Sequence, residues 1–83
     1  MDIRLEKLEY QPDHRSVRAL IEVVENGKKR LFQGVLVHGA DDVVIRMPVH
    51  RREAEMLRQL VVHFIEDNGI EAQMRQLLRE CAG

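Results

Sequence analysis

The sequence has no tryptophan, no threonine, one serine, one cysteine and two prolines among its 83 residues. Each shortage closes an option. A lone cysteine, Cys81, cannot form an intramolecular disulfide, so burial must hold the fold and a reducing compartment suits it. Aromatic residues are 4% of the chain, so the core must be built from Val, Leu, Ile and Met. The longest apolar runs are four or fewer residues, against about 20 for a bilayer span. Met1-Asp2-Ile3-Arg4 leads into no apolar stretch of the signal-peptide kind. A cytoplasmic protein with no membrane partner is the expectation by elimination. An excess of one charge is also missing, because 13 Lys and Arg stand against 14 Asp and Glu. That balance argues against broad attraction to nucleic acid or anionic membranes.

The equipment of catalysis is equally scarce. Ser16 follows His14 and Arg15 in a stretch that reads as an exposed turn, with no base oriented toward it. Cys81 falls near the end of a predicted helix, where the dipole disfavours a thiolate. His63 and Asp67 are four apart on a predicted helix and can reach one ion, but two ligands do not make a metal site. Asp41 and Asp42 sit where a turn is expected, and Asp is a good turn former. Gly34 and Gly39 flank a strand and do not open a helix, so neither supplies a phosphate loop. No catalytic residue, metal ligand or cofactor is assigned, and no enzyme is expected.

What is present is a strong local pattern. Asn26-Gly27 separates Val17–Glu25 from Lys28–His38, and this pair tolerates the positive φ angles of a type I′ hairpin turn. A two-residue loop sets the register: Glu25 opposite Lys28, Val23 opposite Arg30, Ile21 opposite Phe32, Ala19 opposite Gly34, Val17 opposite Leu36. One face then reads Val17, Ala19, Ile21, Val23, Phe32 and Leu36 and is the predicted core. The other carries Arg18, Leu20, Glu22, Val24, Lys29, Leu31, Gln33 and Val35, a mixture rather than the polar set of a solvated face.

After a turn at residues 39–42, Val43–Met47 reads as a short strand stopped by Pro48. Ile3–Tyr10 fits a strand by the alternation of Ile3 and Leu5, and a helical turn by Leu5 and Leu8. The strand, turning at Gln11-Pro12-Asp13, is favoured. From His50 to Asp67, Ala54, Leu57, Leu60, Val61, Phe64 and Ile65 recur at helical spacing. Asn68-Gly69 ends that helix, and Glu71–Cys81 forms another, with Met74, Leu77, Leu78 and Cys81 on one side. The expected fold is α+β: one domain over residues 1–83, an antiparallel β-meander of three or four strands followed by two C-terminal helices packed on the sheet.

Two surfaces follow as expectations. A single helix layer covers one sheet face. Unless the second helix crosses to the other side, Leu20, Val24, Leu31 and Val35 remain uncovered, as does Val62 on the polar side of the long helix. Exposed apolar sets mark association sites, and a symmetric homodimer is the commonest solution. The first expectation is therefore a non-enzymatic, homodimeric protein-interaction module. The second is an anion- or nucleic-acid-binding patch. The meander brings Lys28, Lys29 and Arg30 to the same end of the sheet as Arg51 and Arg52. Nucleic acid is the less favoured partner, given the balanced charge.

Overall fold

Asn26 and Gly27 take φ of 50° and 77°, both positive as a type I′ turn requires. The computed structural model describes residues 1–47 and 51–82, apart from the side chains of Arg51, Glu53 and Ala54. From this turn the hairpin of β2 (Ser16–Glu25) and β3 (Lys28–Val37) pairs in the register expected, Ile21 facing Phe32 and Val17 facing Leu36. β1 (Asp2–Gln11) lies antiparallel on the outer side of β2. The short β4 (Val44–Arg46) pairs with Gln33–Val35 of β3, giving a four-stranded antiparallel sheet in sequence order.

β1 accounts for the mixed periodicity of its sequence. Its register slips between Leu5 and Lys7, the signature of a β-bulge. Ile3 and Leu5 face the core before the bulge, Leu8 and Tyr10 after it. The three-residue step from Leu5 to Leu8 is the extra residue of the bulge, not a helical turn. The reversal into β2 is a single 3-10 turn at Pro12–His14, closed by Arg15 at φ 47° with its N–H donating to the Pro12 carbonyl.

The helices are α1 (Arg51–Asp67) and α2 (Ile70–Ala82). Pro48 as a strand stop and His50 as a helix start fall outside the described residues. α1 ends at Asn68-Gly69, where Gly69 takes φ 61° and its N–H donates to the Glu66 carbonyl. A link of two residues between α1 and α2 keeps both helices in one layer. Leu57, Val61 and Ile65 from α1 therefore join Ile70, Met74 and Leu78 from α2 against Val17, Ala19, Ile21, Val23, Phe32 and Leu36. At Gly34 there is little room for a side chain, because an added Cβ would lie 3.4 Å from Ile65 Cδ1 of α1 and 3.2 Å from Val43 Cγ1. Two arginines tie α2 to the loops: Arg15 donates to the Ala82 carbonyl and Arg75 to that of Asp41. The second helix does not cross the sheet, and the other face has no helix on it.

Candidate functional site

The alternation of β-strands puts every second residue on the face away from the helices. Pairing arranges those residues in rows across the sheet. Arg4, Glu22 and Leu31 form one row; Lys7, Leu20, Gln33 and Arg46 the next; Glu9, Arg18, Val35 and Val44 the third. Asp2, Val24 and Lys29 lie beyond the first, and Gln11, Ser16 and Val37 beyond the last. The face is divided lengthwise. β1 contributes a charged ladder, while β3 and β4 contribute mostly aliphatic side chains. Five large apolar side chains are exposed among the described residues, and three lie here: Leu31, Val37 and Val44, at 45, 46 and 59% exposure. Leu20, Val24 and Val35 are half-buried between their charged neighbours. Val37, Val44 and the β1 ladder extend the expected set. They become readable once β1 and β4 are paired to the hairpin.

The charged half is knit together. Glu9 accepts from Arg18 Nη2 at 2.6 Å and from Gln11 Nε2 at 3.1 Å, and Lys7 Nζ stands 2.9 Å from its other oxygen. Lys7, then Arg18 and Gln11, hold the Glu9 carboxyl down to about 2. Arg4 bridges Glu22 at 3.1 Å and Glu6 at 2.9 Å, and these two carboxylates raise its pKa, Glu22 first. Such exposed pairs contribute little to stability, but they orient the charges. One group is under-satisfied: Arg18 Nε is buried and, among the described residues, has no hydrogen-bond partner.

Val62 does not join this face. It is half-buried on α1, in the helix layer across the sheet from Leu20 and Val35. The basic set also divides. Lys28 and Arg30 turn toward the helices and line a groove of about 640 Å³ together with Arg52 from the first turn of α1. Lys29 alternates to the open face beside Asp2, Glu22 and Val24. Arg51 opens α1, with its side chain outside the description. Among the described residues the groove holds one carboxylate, Glu25, and an apolar wall of Leu57, Leu60 and Met56, the last 78% exposed. Helical spacing from Arg52 to Met56 to Leu60 is the sequence signal that extends the basic pair into a groove.

His63 is exposed and also lines this groove, while His14, His38 and Cys81 are exposed away from it. Among the described residues no three His, Cys, Asp or Glu side chains gather as a metal site, and no helix is long and apolar enough to cross a membrane. No family model matches the chain, and no match was found among curated proteins or solved structures.

Proposed function

We propose that this protein is a non-enzymatic interaction module that pairs with a second copy of itself through the open face of its sheet, in the reducing cytoplasm where a lone exposed cysteine is stable. One observation carries the reading: both helices lie on the same face, leaving Leu31, Val37 and Val44 exposed on the other. Antiparallel sheets with one solvated face put polar residues on it. Here that face has aliphatic residues from β2, β3 and β4. Two such sheets stack at about 10 Å, with side chains interdigitating. Sedimentation velocity from low to high micromolar concentration tests it. A dimer that dissociates on dilution is expected, and Val35→Asp or Leu31→Lys should give a folded monomer. A wild-type monomer at high micromolar concentration would sink the proposal.

A second reading is favoured by the groove where Lys28, Arg30 and Arg52 meet. Lys28 and Arg52 suit an anionic group, and the apolar wall beside them suits what that group is attached to. This surface is separate from the open sheet face, so the two readings are independent. Binding to duplex DNA, duplex RNA or an acidic peptide at low salt should weaken steeply as salt rises. It should fall further with Arg52→Ala and Lys28→Ala. No binding at low salt would remove this reading.

A further inference from the structure

Self-association through the open face leaves the direction of docking undecided, and the charge rows decide it. Two sheets stacked face to face can be related by a twofold axis lying between them along the strands or across them. An axis along the strands, between β2 and β3, lays β2 of one protomer over β3 of its partner. Arg18 then meets the partner's Val35, Glu22 meets the partner's Leu31, and the β1 ladder covers β4. Every charge on β2 would be desolvated against an aliphatic side chain, which is costly.

An axis across the strands through the row Lys7, Leu20, Gln33 and Arg46 does the opposite. It lays each strand over its own counterpart with direction reversed. The row Arg4–Glu22–Leu31 then falls on the row Glu9–Arg18–Val35. Arg4 meets the partner's Glu9, Glu22 meets the partner's Arg18, and Leu31 meets the partner's Val35. The three matches are charge to opposite charge twice and apolar to apolar once, and symmetry doubles them. Lys7 and Arg46 meet their own copies, but on the outermost strands. There the roughly 30° twist between packed sheets opens the corners to solvent.

We infer that the protein forms an antiparallel, face-to-face dimer in which Glu22 of each protomer pairs with the partner's Arg18 about an axis through Leu20. The accessibility of both side chains allows it. Arg18 and Glu22 keep 28% and 16% of their side-chain surface exposed while Arg18 Nη2 holds Glu9 and Arg4 holds Glu22 Oε1 at 3.1 Å. A guanidinium has five N–H donors, and a carboxylate offers about four acceptor sites, so each retains capacity for a further partner. On its own chain Glu22 lies two rows from Arg18; on the partner it lies directly opposite.

This inference rests on self-association through the open face, and its test separates the two. Glu22→Arg and Arg18→Glu are made singly. Each replaces an attraction by a repulsion at both symmetric contacts, so each alone should associate about tenfold or more weakly. Mixed in equal amounts, the two variants restore opposite charges at both contacts and should recover the dimer. Circular dichroism checks that each is folded. A second measurement leaves the interface charges intact. A nitroxide is placed on Asp2→Cys in a Cys81→Ser background and mixed with unlabelled, nitrogen-15 chain. The crossing axis brings the label over Gln11, Ser16 and Val37, and those amides should broaden. Broadening of Lys28, Lys29 and the hairpin tip instead would overturn this geometry while leaving the dimer standing. A mixture of charge variants that stays monomeric would do the same. A wild-type monomer would remove both.

Discussion

Neighbouring residues of β2 meet opposite environments. Val17, Ala19, Ile21 and Val23 are closed to solvent, while Arg18, Leu20, Glu22 and Val24 between them lie on a face that no helix covers. Both sets hold aliphatic residues, so apolar content alone did not select the core side. Charge did part of the work. The buried set on β2 carries no ionisable group, and the open set carries two. The helices did the rest, because a link of two residues holds α2 beside α1. One layer of helix can then seal only one side. The result is a sheet with aliphatic residues on both faces and helices on one.

The comparison breaks most sharply at adjacent residues of β3. Phe32 has no solvent exposure and Leu31 is 45% exposed. Phe32→Ala should destabilise the protein by about 3–5 kcal/mol. Leu31→Ala should cost under about 1 kcal/mol of monomer stability while weakening self-association. Urea denaturation at low concentration, with sedimentation beside it, measures both. Equal losses of stability would mean that the faces are not energetically distinct.

Gly34 and Gln33 sharpen the same contrast by volume. Gly34→Val should push β3 away from Val43 and Ile65, costing about 1–3 kcal/mol. Gln33→Val on the open face meets no such obstacle, and its denaturation midpoint should stay near that of the wild type. At the hairpin tip, Gly27→Val places a β-branched residue at φ 77°. That strain costs about 1–2 kcal/mol, and with open space around the position it should appear as a stability loss with the core unchanged.

The smallest effect belongs to the charged ladder. Glu9 is held down to about 2 from an ordinary 4.5 by its donors. A carboxyl depressed by folding stabilises the folded state above its unfolded value. That contribution is lost as pH falls from 4.5 through about 2. Glu9→Gln should flatten this acid limb without altering stability at neutral pH by much, because the group is partly exposed. Parallel acid titrations followed by circular dichroism check it. An identical acid limb in both proteins would show that the pairs around Glu9 are not formed in solution.

Much of this could be read from residues alone, and the failures have causes. Asn-Gly at a hairpin tip set ten consecutive pairs, because a two-residue turn leaves no slack. The bulge between Leu5 and Lys7 blurred β1, since one inserted residue turns a period of two into a step of three. The basic cluster was legible as an end of the molecule but not as one surface. Alternation sends Lys29 to the open face while Lys28 and Arg30 face the helices with Arg52. Val62, expected to be uncovered on the polar side of the long helix, is half-buried there, and that helix lies across the sheet from Leu20 and Val35. No local pattern reports which side that is.

By itself, then, the chain specified its strands, its tip, its helices and which hairpin side would be buried, since these depend on φ preferences and on periods of two and 3.6 residues acting over short distances. The tertiary structure alone decided that α2 stays with α1, that β1 lays its charges beside Arg18 and Glu22, and that Arg52 reaches Lys28. Those are meetings between separate elements, neighbouring or distant in sequence, set by how amphipathic faces pack once several are available, and packing of that kind leaves no periodic trace in any one segment.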